Sequence, residues 1–461
     1  MAATERHTGI GIETEPVAAR PGGETTGVRG RLFGKNLLGW YLYECGASAF
    51  STSVITVFMG PHLALLAHAA ADESGMLHLL GINLPPGSVY PYAISFSVIL
   101  QILILPLIGA VADRLRRKRL MIGSFALLGS AALLAVGLEV SYLQAALLFV
   151  VANVCLGAAH LVYNSLLPEL SPPDERNAVS STGWGTGYLA GGLFLLGQYL
   201  FLAYASGDRS PLEATRICIV SSGFWWGGFT LLHLILLRLP PQVSTPGAWR
   251  FSGGVRQLLA TARDARRFPM TVLFLIAFLF YSDGIQTITA VSTQFGQEEL
   301  KLGAEELARV ILLVQFCGVL GAVLFNALSR RIGTKHTLLL TLLVYTGVTV
   351  YVYRFLTSTA EFYLLAAIIA LVLVGSQALS RAAFSTMVPR GREAAYFGLY
   401  EVSERGTSWL GPLTFGLALQ FTGSYRLAVL ALAVFFLGGL LMLWKVDFRR
   451  AAREALSGGR A

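Results

Sequence analysis

The sequence predicts an all-α membrane protein with twelve transmembrane helices in two pseudo-symmetric six-helix bundles. The first observation is composition: 54% of the 461 residues are hydrophobic, only 13% are charged, and the mean hydropathy is +0.62. A typical soluble protein has about 25% charged residues. The second observation is that apolar runs of about 20 residues, long enough to cross a bilayer, recur along the whole chain. These runs must be helices, because lipid offers no hydrogen-bond partners to an open backbone.

Twelve apolar runs divide the chain into domains. They are predicted at 37–68, 88–112, 119–138, 141–168, 178–205, 215–238, 269–294, 305–328, 336–355, 361–388, 394–421 and 425–445. The polar segment 1–36 lacks the apolar core of a signal peptide and is predicted to be a disordered cytoplasmic tail. A linker at 239–268, rich in Pro, Gly and Arg, separates a first bundle at 37–238 from a second at 269–445, and 446–461 forms a cytoplasmic tail.

Basic residues predict the orientation of the chain. Most of the 35 lysines and arginines fall in the N-terminal tail, in alternate loops and in the C-terminal tail. Since such residues stay on the cytoplasmic side, both termini are expected in the cytoplasm and the protein in the cell (inner) membrane. The basic residues are spread over loops with no stacking aromatic residues among them, which argues against nucleic-acid binding.

Cysteines and catalytic motifs argue against an enzyme or a metal protein. The four cysteines lie inside spans without metal-ligand spacing, and we interpret them as small packing residues. The sequence has neither a Gly-x-x-x-x-Gly-Lys-Ser/Thr phosphate loop nor a Gly-x-Ser-x-Gly elbow. We therefore expect no enzyme activity, no cofactor and no metal, and we expect a monomer.

The two halves of the chain resemble each other. Helix 1 contains 43-YECG-46 where helix 7 contains 281-YSDG-284, and the loops at 109–121 and 326–338 share a basic pattern. Together these matches indicate duplication. Transporters built from parallel repeats bind their substrate between the halves, near the middle of the membrane.

The loop after helix 2, 109-GAVADRLRRKRLM-121, resembles the signature of the major facilitator superfamily. The matching residues are Gly109, Asp113, Arg114, Arg117 and Lys118, whereas Arg116 replaces a glycine of the signature. The resemblance implies the major facilitator fold and a cytoplasmic latch in which the loop aspartate joins the two halves. The alternative is an ordinary basic loop held at the cytoplasmic face by anionic lipid.

Longer stretches resemble a narrower branch of this superfamily, which contains the autophagy-related vacuolar effluxers of fungi and many prokaryotic permeases. They include 40-WYLYECGASAF-50, 163-YNSLLPEL-170, 280-FYSDGIQT-287 and 375-GSQALSRAAFSTMVPRGREAAYFGLYEVSERG-406. The resemblance implies efflux of amino acids, particularly neutral and apolar ones. The chain departs from the branch at Glu44, where Asp is usual, and at Cys45 and Ala47, where Trp and Asn are expected.

Two carboxylates, Glu44 and Asp283, occupy matching places in helices 1 and 7. Charged side chains inside a membrane are costly and mark functional sites by default. We expect one carboxylate on each side of the cavity between the halves, where it takes up a proton or binds a substrate ammonium group. The alternative is a structural role near a helix start, with hydrogen bonds to polar neighbours.

Helices 10 and 11 hold the densest polar cluster. Gln377 and Arg381 are four residues apart and share a helix face, from which Arg381 can bind a substrate carboxylate. Glu401 and Arg405 are also four apart and can pair, which leaves Glu404 as the freer acid for substrate or proton binding. The alternative is that Glu401 and Arg405 form an internal salt bridge that locks the cytoplasmic half of helix 11. Because this pair would lie near the cytoplasmic rim, Glu401 and Arg405 are assigned to the latch.

Helices 4 and 7 add three candidates for substrate or proton binding. His160 and Asn164 are four residues apart on helix 4, and Gln286 lies one turn beyond Asp283 on helix 7. A titratable imidazole suits a proton path, although a lone His on an apolar helix is more often a packing residue. Helix 5 is rich in glycine, which lets neighbouring helices approach closely.

The sequence therefore predicts a secondary transporter that works by alternating access. The expected substrate is a small organic solute, with amino acids as the first choice, and the expected coupling ion is H⁺. One alternative is a transporter (exporter) of a sugar, a nucleoside or a drug. Another is a non-transporting membrane receptor or scaffold.

Overall fold

Long helices make up almost all of the described chain. The computed structural model describes residues 35–79, 81–112, 117–138, 140–171, 176–238, 263–389, 396, 400 and 408–457. Within these residues the only strands form one short hairpin. The observed architecture is the all-helical one that the sequence predicts.

In the first half of the chain, the described residues form six long helices. Helix α1 is built from three consecutive segments, which are Lys35–Ala49, a π-helical Phe50–Phe58 and Met59–Ala70. The other five are α2 (Val89–Ala112), α3 (Lys118–Ala135), α4 (Tyr142–Asn164), α5 (Arg176–Leu200, continued by a π-helical Phe201–Ala205) and α6 (Pro211–Leu236).

The second half repeats this arrangement and adds one helix. Its elements are α7 (Pro269–Leu300), α8 (Ala304–Ile332), α9 (Thr334–Arg354), α10 (Thr359–Ser385), α11 (Leu410–Thr422), α12 (Tyr425–Ala431 with Ala433–Lys445) and α13 (Phe448–Ser457). Helix α7 ends at Lys301, whose φ of 55° is left-handed. Such a residue closes a helix and turns the chain toward the next one.

Within the described residues, ten helices are long and apolar enough to cross a membrane. Helices α8 and α11 are not among the ten. Helix α8 has 29 residues, which at 1.5 Å per residue exceeds the thickness of a bilayer core. The described part of α11 has 13 residues, because much of the segment before Leu410 lies outside the described residues.

The two halves pack their helices in the same pairs. In the first half α1 contacts α5 and α6, α2 contacts α4, and α3 contacts α4 and α6. In the second half α7 contacts α11 and α12, α8 contacts α10, and α9 contacts α10 and α12. The contact pattern therefore confirms the pseudo-symmetry that the repeated motifs predict.

A β-hairpin between α1 and α2 was not predicted from the sequence. Strands β1 (Leu77–Leu79) and β2 (Ile82–Leu84) pair antiparallel, and His78 lies opposite Asn83. The His78 ring contacts Asn83 Oδ1 through Nδ1 and Asp72 Oδ2 through Nε2, each at 2.7 Å. We call the end of the bundle that carries this hairpin the hairpin end.

Candidate functional site

Three glycines on α5 let α1 approach closely. Gly183, Gly187 and Gly191 are spaced by four residues, so they lie along one helix face. A Cβ atom added at each would fall 2.6–2.9 Å from an α1 side chain, and at Gly187 the atom it would meet is Glu44 Cγ, at 2.7 Å. Small residues at this spacing are typical of tightly packed membrane helices. The three glycines therefore leave room for the Glu44 side chain between α1 and α5.

Glu44 and His160, which were predicted separately, meet in the structure. His160 Nε2 on α4 lies 3.6 Å from Glu44 Oε2, and the side chains are 15% and 14% exposed. The contact is an ion pair when the imidazole is protonated. At 3.6 Å the two atoms are too far apart for a direct hydrogen bond. The pair is therefore loose, and both members keep some access to the surroundings of the bundle.

An aromatic cluster flanks this pair. Trp40 stacks on Tyr163 with a centroid distance of 4.3 Å and an interplanar angle of 7°, and Trp40 Nε1 donates to the Tyr163 carbonyl at 3.3 Å. Tyr43 lies edge-on to the His160 ring at 5.6 Å and also contacts Tyr163 at 4.8 Å. These rings limit how far the His160 side chain can move away from Glu44.

Asp283 occupies a different environment from Glu44. It is 1% exposed, and its Oδ2 accepts a hydrogen bond of 2.9 Å from the backbone N–H of Gly411. Gly411 belongs to the first turn of α11, whose N-cap residue Trp409 makes no side-chain capping bond. Asp283 thus caps α11 from another helix, and the positive end of the helix dipole favours its negative charge.

The contact between Asp283 and α11 requires a glycine. A Cβ atom at Gly411 would fall 2.0 Å from Thr287 Oγ1 and 3.0 Å from Asp283 Oδ1. Among the described residues, Asp283 Oδ1 has no hydrogen-bond partner. One oxygen of this buried carboxylate therefore fixes the helix start, while the other is not used by a described donor.

The two predicted carboxylates occupy equivalent helix pairs but do not meet. Glu44 on α1 abuts a glycine of α5, and Asp283 on α7 abuts a glycine of α11. Within the described residues, no hydrogen bond or salt bridge joins Glu44 or His160 to Asp283. Each carboxylate contacts its own bundle, so a cavity shared by the two stays a prediction.

Helix α10, which carries the predicted residues Gln377 and Arg381, contacts α7. Ser380, the neighbour of Arg381, shares a 2.5 Å hydrogen bond with Tyr281 on α7. Arg381 is exposed and Gln377 half-buried. Among the described residues, no salt bridge to Arg381 is found. Its guanidinium is therefore available to a carboxylate that comes from outside the described chain.

The remaining candidates are more scattered. Asn164 ends α4 and is exposed, and Gln286 is exposed on α7, so neither joins the pair at Glu44. In the predicted latch loop, Arg117 is exposed at the N-cap of α3 and Lys118 is half-buried. A Cβ atom at Gly109 would make an ordinary 3.5 Å contact with Leu161, so this glycine is not needed for a close approach to the described residues.

Five candidates cannot be placed. Asp113, Arg114, Glu401, Glu404 and Arg405 lie outside the described residues. The cytoplasmic latch and the pairing of Glu401 with Arg405 therefore stay predictions.

Among the described residues, several hydrogen bonds that join the two halves lie at the hairpin end. Thr293 Oγ1 on α7 donates to the Thr56 carbonyl in the π-helical segment of α1 at 2.8 Å. Gln294 Nε2 donates to the Gly87 carbonyl at 2.6 Å. At the very end, His68 Nε2 lies 3.1 Å from Glu298 Oε1.

These contacts were missed in the sequence, and for a physical reason. Thr293 and Gln294 donate to backbone carbonyls, which have no side-chain signature. The sequence did contain one weak indication of these contacts, because several polar residues lie near the end of the seventh apolar run. In the structure the corresponding helix extends to Leu300.

Comparison with known families identifies the family of this chain. The sequence profile of the family described as "Vacuole effluxer Atg22 like" matches residues 34–178 and 171–456. The chain belongs to this family. Among its relatives, the MFS-type transporter YxiO of Bacillus subtilis (strain 168) is 27% identical over 423 residues, covering 89% of this chain and 94% of YxiO. Autophagy-related protein 22-2 of Emericella nidulans is 25% identical, covering 94% of this chain and 93% of that protein.

Solved structures show the same fold for this Atg22-like chain. A variant of the nucleoside transporter NupG superimposes with a TM-score of 0.66 at 12% identity, covering 89% of this chain and 99% of that one. A D-xylose-proton symporter superimposes with a TM-score of 0.64 at 15% identity, covering 89% and 97%. The protein is therefore a membrane transporter of the major facilitator type, as its sequence predicts.

Proposed function

We propose that this transporter moves a small organic solute, with amino acids as the first class to test, and couples the movement to protons at Glu44 and His160. The observation that carries the proposal is the loose contact of 3.6 Å between these two partly exposed side chains inside a membrane-spanning bundle. Ionisable groups in this position mark substrate or proton pathways in membrane proteins.

The proposed chemistry follows from the pair. A protonated imidazole attracts the carboxylate, and loss of the proton removes that attraction. A substrate ammonium group near Glu44 competes with the imidazolium for the same carboxylate. Binding of substrate and release of a proton are then linked, because the carboxylate satisfies one cation at a time.

The contacts between the halves support alternating access. Several of them lie at the hairpin end, where donors on α7 bind carbonyls near α1. We infer that the described conformation is closed at the hairpin end. Under the predicted orientation this end faces away from the cytoplasm.

The first experiment identifies the ligand. Purified protein is heated in the presence of a panel of amino acids, sugars and nucleosides, since a ligand that binds the native state raises the melting temperature. Stabilisation by amino acids alone supports the proposed substrate class. Stabilisation by sugars or nucleosides alone contradicts it.

The second experiment tests coupling. His160→Gln, reconstituted in vesicles, should lose uptake driven by a pH gradient while still exchanging labelled substrate across the membrane without one. Glu44→Gln also removes the carboxylate proposed to bind the substrate ammonium group, so it should lose both activities. Glu73→Gln, which changes an exposed carboxylate outside the spans, serves as the control and should behave as wild type. Gradient-driven uptake at the normal rate in Glu44→Gln would refute the assignment of the proton to this pair.

A further inference from the structure

We propose that helix α13 is a binding surface for anionic phospholipid headgroups at the end of the bundle opposite the hairpin. The proposal concerns the exposed face formed by Arg449, Arg450 and Arg453, which we call the arginine face. It does not depend on the transported substrate.

The chain itself places α13 at the membrane surface. The last membrane-spanning helix ends at Lys445, and only Val446 and Asp447 precede α13. The Asp447 carboxylate accepts the backbone N–H groups of Arg449 and Arg450 at 2.9 and 3.0 Å and so starts the new helix at once. With two connecting residues, α13 cannot lie more than a few ångströms from the end of the span.

The side of α13 opposite the arginines is fixed to the protein. Phe448 makes an edge-to-face contact with Phe274 of α7, with ring centroids 5.9 Å apart and planes at 82°. Ala451 and Ala455, which follow on the same helix face, are buried. This docking sets the rotation of α13, so the arginine face is turned away from the bundle.

The charge of the arginine face is only partly neutralised. Arg450 Nε forms a salt bridge of 2.9 Å with Glu454 Oε1. No salt bridge joins Arg449 or Arg453 to a carboxylate in the described part of the chain. Two guanidinium groups are therefore presented outward, and guanidinium is the side chain best suited to phosphate oxygens.

Large apolar side chains accompany these arginines. Trp444, at the end of the last span, is 70% exposed, and Leu456 on α13 is 67% exposed. Together they place exposed apolar surface next to the arginine face. The headgroup layer accommodates both kinds of side chain, since indole rings prefer that depth and basic residues bind its anionic lipids. This combination favours a lipid surface over a soluble acidic partner.

The test uses full-length protein in a neutral detergent. Dioleoyl phosphatidylglycerol, dioleoyl phosphatidylcholine or inorganic phosphate is titrated in, while the melting temperature and the lipids retained in native mass spectrometry are recorded. The test variant is Arg449→Gln with Arg453→Gln. The matched control is Lys301→Asn with Arg354→Gln, which removes two exposed positive charges at the hairpin end.

The proposal predicts that phosphatidylglycerol binds and stabilises the wild type more than phosphatidylcholine does. The Arg449/Arg453 variant should bind phosphatidylglycerol on the order of tenfold or more weakly, the control should bind it normally, and high salt should weaken binding by the wild type. Equal binding by wild type and test variant would overturn the proposal. So would equal responses to the two lipids, or a response to inorganic phosphate of the same size.

Discussion

At the scale of single residues, two equivalent carboxylates have acquired different environments. Glu44 keeps partial exposure and faces the His160 imidazole, whereas Asp283 is buried and caps the start of α11. The pseudo-symmetric positions therefore differ in their contacts. We expect Glu44 to act in binding and Asp283 to position α11.

Substitution of Asp283 separates capping from proton transfer. Asp283→Asn keeps an oxygen that can accept from the Gly411 N–H, so it should fold normally and transport at a rate close to wild type. Asp283→Ala leaves that buried N–H unsatisfied and should cost about 1–3 kcal/mol of stability. Thermal unfolding and vesicle uptake measure the two effects. Loss of pH-gradient-driven uptake in Asp283→Asn would instead identify Asp283 as a proton site.

The hairpin should respond to pH. Hydrogen bonds to Asp72 and Asn83 raise the pKa of His78, and hydrogen bonds from Ser74, Met76 and His78 lower the pKa of Asp72. The contribution of His78 is complete below about pH 6.5 and is lost as pH rises through its raised pKa. That of Asp72 is present above about pH 3.9 and is lost as pH falls through its lowered pKa.

The hairpin is therefore expected to be most stable between about pH 4 and pH 6.5. Hydrogen exchange of the hairpin amides, corrected for intrinsic rates, should show more protection at pH 5.5 than at pH 8.5. In His78→Gln the difference between the two pH values should largely vanish. Equal protection of the wild type at both values would count against a charged His78.

The sequence identified the candidate residues of the site better than it predicted which residues they contact. A carboxylate at 44 and an imidazole at 160 were both identified as candidates, because each is unusual in an apolar run. Their meeting depends on the packing of α1 against α4 and α5, which no local pattern encodes. For the same reason Asn164 was grouped with His160 by spacing, although it lies exposed at the helix end.

At the scale of helices, the glycines of α5 position the Glu44 side chain. A Cβ atom at Gly187 would lie 2.7 Å from Glu44 Cγ, whereas one at Gly197 of the same helix has nothing within 4 Å. Gly187→Ala should therefore displace the Glu44 side chain from His160 and reduce gradient-driven uptake severalfold. Gly197→Ala is the matched control and should transport normally. Similar uptake by both variants would show that Glu44 tolerates the displacement.

Some helix features could not be read from the sequence. The π-helical segment Phe50–Phe58 is rich in Val, Ile and Thr, which the α-helical segments beside it lack. Such β-branched residues do not by themselves specify wider turns, so the π-helical segment was not predicted; segments of this kind occur often at functional sites. The segment that forms helix α13 was predicted to be a tail, because a segment of ten residues with several charges is too short and too polar to cross a membrane.

At the scale of the whole molecule, the two halves must separate at the hairpin end if the transporter alternates. Thr293 contacts the main chain of Thr56, so Thr56→Cys with Thr293→Cys, in a background without the four native cysteines, places one thiol on each half next to this contact, and a short, reducible bifunctional thiol reagent can link them. Cross-linking should stop transport, and reduction with dithiothreitol should restore it. Each single cysteine variant is the control. Undiminished transport by fully cross-linked protein would exclude opening at this contact.

The overall architecture was largely predictable. Apolar runs placed the helices, and the motif shared by helices 1 and 7 indicated two related halves. The ends were less certain: α7 continues six residues beyond its predicted end at 294 to reach Leu300, and α4 stops at Asn164 rather than 168. Helix ends depend on caps and on contacts with neighbouring helices, such as the left-handed Lys301, which hydropathy does not detect.

Side chains of neighbouring helices donate hydrogen bonds to the main chain of helix α1. Trp225 donates to the Cys45 carbonyl at 3.0 Å, Tyr90 to that of Ile55 and Thr293 to that of Thr56 at 2.8 Å. Every amino acid supplies a carbonyl, so the acceptor side of these contacts survives most substitutions, whereas the donor side does not. A substitution at Cys45, Ile55 or Thr56 is thus expected to leave the corresponding anchoring bond in place, whereas loss of Trp225, Tyr90 or Thr293 removes it.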